Sequence, residues 1–228
     1  LIYPIISYIF SLINKLLLPL ILINLSFSGF VQVPIDYSSI QEALDDCFEN
    51  DTILVSSGIY YENIIWPNKN HITLLGESLE NTIINGNNSS SVIFISFEEE
   101  NISFSNTRIE NFTLINGNTT SDFPNDRGAG IFIMNASPFI NNVNIMDCNA
   151  SYGAGLSLIK SNSIINNIII KNNSSYNSGA GIYLDNSNPI LNNCNISNNY
   201  SSNYGGGIYS INNSQPEIIL SKIYNNTS

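Results

Sequence analysis

The chain has 228 residues, 43% of them apolar, enough to bury one substantial core, and its length allows one or two domains. Only 11% of residues are charged, and 18 acids against 7 bases leave a formal charge of −11 with no basic cluster. That balance argues against nucleic acid and anionic membrane surfaces as partners, and it leaves solubility mainly to Asn, Ser and Thr.

Residues 1–28 stand apart from the rest. Lys15 precedes an apolar run over 16–25, and Ser26-Phe27-Ser28 follows, with small residues at the −3 and −1 positions of a cleavage site. This order of features reads as a secretory signal peptide. A membrane anchor is the alternative, because the stretch 1–13 is also apolar and the joined run is long enough to span a bilayer. A buried element is the third reading. The first two imply a secreted, cell-surface or outer-membrane protein, with membrane contact only through this segment or a further C-terminal domain.

Residues 29–50 form an expected N-terminal cap. Ser39 and Glu42 have capping-box spacing, and Ile40, Ala43, Leu44 and Cys47 fall on one helical face. A short amphipathic helix there would cover the open end of a stack of strands and its unpaired backbone groups.

From Asp51 to Ser228 the pattern is that of short strands. Residues 52–55, 72–75 and 92–95 are β-branched or apolar runs about 20 residues apart. Trp66-Pro67 and Glu98-Glu99-Glu100 belong to turns. The triple Glu is the one candidate for calcium, although a charge run is more often a solvated face, and no other cofactor is implied. The step from Leu114 to Ile145 is longer than the steps that follow it. The excess lies in 118–127, which holds Asp122, Asp126 and Arg127. A longer turn on a rigid stack is a natural place for a binding site, so these three residues are the candidate ligand-binding set.

The later part of the chain repeats. Gly128-Ala129-Gly130-Ile131, Gly153-Ala154-Gly155-Leu156, Gly179-Ala180-Gly181-Ile182 and Gly205-Gly206-Gly207-Ile208 follow one another at a nearly constant spacing. A fixed period of this kind marks a stack of like units. Asn, Gly and Ser at this density oppose helical repeats, and about 25 residues with three short strands suits one coil of a parallel β-helix. Aligning the coils puts Leu114, Ile145, Ile170 and Ile196 in one column. It puts Asn111, Asn142, Asn167 and Asn193 in another, where amides can bond up the stack until Leu220 breaks the row.

These glycine phrases and Asn-rich strands resemble the right-handed parallel β-helix of the pectin-lyase-like superfamily. The phrase at 205–209 is similar to repeats of bacterial surface proteins, including polymorphic outer-membrane proteins. Upstream, residues 33–44, 58–64, 74–77 and 82–86 are similar to the opening coils of pectinesterase-like proteins. The resemblance covers nearly everything after residue 30. It implies an all-β solenoid of about seven coils with an N-terminal capping helix, and it says little about activity, because many functions sit on this scaffold.

Lyases of that fold imply an Arg or Lys base with acids that hold calcium. Here Asp147 and Asp185 fall at different coil positions, and Asn172, Asn198 and Asn225 stand above Asp147, so no carboxylate column forms. The paired Asp residues with Gln of pectinesterases, and the Asp clusters with Gly-His-Gly of polygalacturonases, are not found. Glycoside hydrolysis needs two carboxyls roughly 5–9 Å apart, and Asp122 with Asp126 in one turn make a weak case. His71 is the only His and has no evident partner. Cys47, Cys148 and Cys194 lie in distant coils and read as buried thiols, not as a disulfide or a zinc site. Sequons such as those at Asn88, Asn101 and Asn111 arise by chance in so Asn-rich a chain.

Two functions from different classes follow. The first is a non-catalytic exported protein that binds a polysaccharide or surface partner along its elongated face. The second is a polysaccharide lyase or pectinesterase-like enzyme whose catalytic residues are unidentified or lie outside this chain. The sequence stops inside a turn that leads elsewhere to a glycine phrase, so the expectation is further coils, a cap or an attachment domain, and an unpaired rim on the last coil.

Overall fold

A computed structural model describes residues 28–98 and 106–228. The leader reading, Ser28 aside, and the triple Glu beyond Glu98 lie outside those residues.

The chain winds into a parallel β-solenoid of about seven turns. Its principal sheet takes one rung from every turn, from Phe30–Val33 through Thr52–Val55, Thr73–Gly76, Arg108–Ile115, Phe139–Met146 and Ile164–Lys171 to Ile190–Asn192 and Glu217–Ile219. A second sheet stacks Ile64–Ile65, Ile93–Ser96, Ile131–Met134, Leu156–Ile159, Ile182–Asp185 and Ile208–Ile211. A third, shorter sheet stacks Asn118–Thr119, Asn149–Tyr152, Ser174–Ser178 and Tyr200–Ser201. All named pairings are parallel.

Like sits on like through the core. Ile53, Leu74, Ile109, Ile140, Ile165 and Leu191 are register partners in turn, and each is fully buried. Ile84, Leu114, Ile145, Ile170 and Ile196 form the next column, likewise buried. The rungs are too short to be stable alone, so burying these columns is what holds each coil to its neighbours.

The corners explain the Asn content. Each later coil bends at positions with left-handed backbone, which Asn and Gly tolerate better than other residues. One corner runs through Asn111, Asn142, Asn167 and Asn193, with φ between 53° and 63°. A second runs through Asn116, Asp147, Asn172, Asn198 and Asn225, and a third through Asn135, Lys160, Asn186 and Asn212. The expected amide ladder at the first corner is interrupted. Asn142 donates to Asn111 at 2.7 Å and Asn193 to Asn167 at 2.7 Å, but Asn167 turns to Asn141 at 2.9 Å. Backbone conformation, more than stacking, keeps Asn there.

Leu220 occupies the first corner in the last coil at φ 48° and is 83% exposed. A left-handed backbone costs an ordinary L-residue about 1–2 kcal/mol. Leu220→Asn is therefore expected to raise stability by about 1 kcal/mol in urea denaturation, and an unchanged midpoint would contradict this account of the corners. Ile218, Ile219, Ile223 and Tyr224 of the same coil are also exposed.

A continuous amide ladder lies one residue past the second corner. Asn173, Asn199 and Asn226 point inward, and Asn173 and Asn199 are almost fully buried. Asn173 donates to the Asn199 side-chain oxygen at 3.0 Å, and Asn199 donates to that of Asn226 at 2.9 Å. Cys148 holds the same place one coil earlier, and its N–H donates to Asn173 at 3.0 Å.

The helix Ile40–Asp46 covers the first coil with Ile40, Ala43, Leu44 and Cys47 buried. Ser39 is its N-cap: Ser39 Oγ accepts from Glu42 N at 3.2 Å, and the Glu42 carboxylate accepts from the Ser38 hydroxyl, a bond that, with the Ser38 and Ser39 backbone behind it, holds the carboxyl below its usual range. The first two helical N–H groups donate to Glu62 of the next coil, at 3.0 and 2.9 Å. All three cysteines are free and buried. Burial pushes the Cys148 thiol up to about 12 and that of Cys47 up to about 11, so both stay protonated and behave as small apolar side chains.

Candidate functional site

The insert begins as a regular rung and then leaves the stack. Asn118 and Thr119 pair with Asn149 and Ala150, and their side chains alternate outward and inward. The chain then turns, with Asn125 N–H donating to the Asp122 carbonyl at 2.8 Å. It is fastened again at Asp126, whose carbonyl accepts from Ser151 and Tyr152 N–H groups at 2.8 and 3.1 Å.

The three predicted residues are not alike in this setting. Arg127 grips the Asp126 carboxylate with two bonds, Nε to Oδ1 at 2.6 Å and Nη2 to Oδ2 at 2.9 Å, with only 12% and 13% of the two side chains exposed. The guanidinium lies 4.9 Å from the Phe123 ring, 4.8 Å from Tyr152 and 5.4 Å from Tyr183. Burial works against its charge, yet the bond and charge of Asp126 outweigh that and raise the Arg127 pKa. Arg127 is thus a clasp that ties the insert to two further coils, and its charge is already answered. Asp122 is exposed at the turn and stands outside this pair.

Beyond the clasp runs a row of rings along the stack. Tyr152 and Tyr183 meet edge to face at 5.4 Å, Tyr183 and Tyr209 are 6.0 Å apart, and Tyr209 stacks on Tyr204 at 6.0 Å. Tyr183 and Tyr209 are register partners on the outer side of the second sheet. Tyr204 is 64% exposed, while Tyr183 is buried. Burial also raises the Tyr183 phenol, partly offset by Arg127. A signal for this row exists in the sequence: Tyr152 and Tyr204 each precede a glycine phrase, and Tyr183 and Tyr209 each follow one.

On the other side of the insert lies a recess of about 600 Å³. Asn88, Ser89 and Ser90 form one wall, and Asn118, Thr119, Thr120, Ser121 and Asn125 form the other. Every lining side chain is an amide or a hydroxyl. In the sequence, Asn88 reads only as a chance sequon.

Among the described residues, no group of three or more His, Cys, Asp or Glu side chains is placed to hold a metal ion, and no helix is long and apolar enough to cross a membrane. Asp147 sits at an exposed corner, and Asp185 accepts from Asn212 at 2.6 Å. His71, also left-handed, stands just before the Thr73–Gly76 rung.

No family model and no curated protein matches the chain. Solved structures do. Pectin methylesterase in complex with hexasaccharide VII is 15% identical with a TM-score of 0.53, over 78% of this chain and 57% of the other. A pectin methylesterase point mutant in complex with hexasaccharide IV is 16% identical with a TM-score of 0.56, over 85% of this chain and 66% of the other. The chain therefore spans less than two thirds of the length of either. The likeness is one of backbone, and what it shows is the fold, a parallel β-helix.

Proposed function

We propose that this is an exported cell-surface β-helix protein that binds polysaccharide along its elongated face and does not transform it. The observation that carries the reading is the row of Tyr152, Tyr183, Tyr209 and Tyr204, which follows the stack across three coils and includes the exposed Tyr204 ring. Rings with one apolar face and a polar edge suit a chain of sugars, which presents the same mixture. Two neighbours in fold are complexes with hexasaccharides, so the scaffold is compatible with an extended glycan. The leader-like segment before Ser28 supports export.

The second reading, a carbohydrate esterase, is favoured by the same neighbours, both pectin methylesterases. Against it, Asp126 commits both carboxylate oxygens to Arg127, which leaves it poorly placed to move protons or attack a carbonyl.

Affinity electrophoresis through gels containing plant and bacterial polysaccharides, with methanol release from pectin assayed in parallel, separates the two. Retardation by at least one polymer without methanol release is the expected result. Tyr204→Ala, which removes the most exposed ring, should weaken that binding about tenfold, the loss of about 1.4 kcal/mol of ring contact, with the cooperative unfolding transition retained. Enzymatic methanol release would establish the esterase reading instead.

A further inference from the structure

We infer that the recess beside the insert is a subsite for one neutral glycosyl unit, recognised through its hydroxyl groups and not through a carboxylate. The inference rests on the polysaccharide-binding reading above and names the class of sugar.

Size and position come first. A recess of about 600 Å³ falls inside the range of about 300–1,000 Å³ typical of small-ligand sites. Its two walls come from different turns, the 88–90 bend and the 118–125 insert, so it exists only because the insert departs from the regular coil.

The chemistry of the walls then selects the ligand. Some lining groups are held in place within the protein. Ser89 Oγ donates to Asn63 at 2.7 Å, and Asn118 N–H donates to the Ser90 carbonyl at 3.0 Å. The side chains of Asn88, Ser90, Thr120 and Asn125 make no hydrogen bond within the described residues and remain open to a ligand. Amides and hydroxyls each offer a donor and an acceptor, and so does every sugar hydroxyl. A sugar hydroxyl can answer both kinds of group; an ionised uronate carboxylate only accepts and leaves the wall acceptors unanswered.

Charge points the same way. No cation lines the recess, Arg127 is engaged by Asp126, and the exposed Asp122 sits in the same insert. The whole chain carries −11. A carboxylate entering here would lose water, meet no counter-charge and approach a negative field.

The test measures binding at low ionic strength to galactan, arabinan, mannan and β-glucan as neutral polymers and to polygalacturonate as the acidic one. The expected result is binding to at least one neutral polymer, with polygalacturonate at least tenfold weaker. Ser90→Ala with Thr120→Val removes two open hydroxyls and should weaken binding of the neutral polymer about tenfold. Because neither hydroxyl bonds to another described residue, melting should not change. Polygalacturonate bound as tightly as the neutral polymers, or a double variant with unchanged affinity for them, overturns the inference while the polysaccharide-binding function stands. Binding to none of these polymers overturns both.

Discussion

Gly130→Ala is expected to cost about 3 kcal/mol or more, a large share of the roughly 5–15 kcal/mol that holds a domain together. A Cβ at this position would lie 2.2 Å from Ile145 Cγ2 and 2.4 Å from the Gly155 carbonyl oxygen. The carbonyl belongs to the next coil and is fixed by Ile131 N–H at 3.0 Å, while Gly130 N–H is itself bonded to Ala154 at 2.9 Å. Nothing can yield without parting two rungs. Gly155 and Gly181 repeat the geometry, with the carbonyls of Gly181 and Gly207 at 2.6 and 2.4 Å. Gly58→Ala is the control: its new Cβ meets only the Tyr60 ring, at 3.5 Å or more, and should change stability by no more than about 0.5 kcal/mol. Equal melting temperatures for the two variants would contradict the close approach of successive coils.

Asn199→Ala should be nearly as damaging, at about 3–4 kcal/mol. The Asn199 amide donates to Ile170 O at 3.0 Å and to Asn226 Oδ1 at 2.9 Å, and its oxygen accepts from Asn173 N and Nδ2, both at 3.0 Å. Alanine would strand partners on both sides in a place without water. Asn199→Asp adds a pH signature. A carboxylate keeps the acceptor but loses both donors, and burial raises its folded pKa above the unfolded value. The variant should then be most stable below the unfolded pKa and lose stability as pH rises through the folded one. Denaturant midpoints near pH 7 and near pH 4 should differ more for this variant than for the parent protein. A gap between variant and parent that stays constant with pH would count against the buried ladder.

Much of the fold can be read from the chain because stacking forces like residues to recur at one period. The Leu114, Ile145, Ile170 and Ile196 column is visible for that reason, and it is the register observed. The glycine phrases are visible as a repeat, but their two physical demands are not. The first glycine takes a left-handed backbone, as at Gly128 with φ 65°, and the third must lack a Cβ. The buried ladder escapes a reading of the sequence because an Asn-Asn pair does not announce which member faces inward. Asn172, Asn198 and Asn225 take the corner, and the residue after each turns into the core.

The site is legible only in outline. The long step from Leu114 to Ile145 locates the insert, and Asp126 and Arg127 are adjacent in sequence. How Arg127 is enclosed depends on Tyr152 and Tyr183, which belong to the next two coils and which only the coil register brings beside it. The recess is invisible for a different reason. Asn88-Ser89-Ser90 reads as any polar turn until the insert rises next to it.

Spin labels on Thr52→Cys and Glu217→Cys test the stack most directly. These positions lie six steps apart in one register column, through Thr73, Arg108, Phe139, Ile164 and Ile190. The native thiols are buried, so labelling should fall on the introduced ones. Six steps of ~4.8 Å predict one narrow distance distribution centred near roughly 29 Å, apart from the reach of the labels. A broad distribution, or one centred beyond about 40 Å, would contradict coils stacked in register.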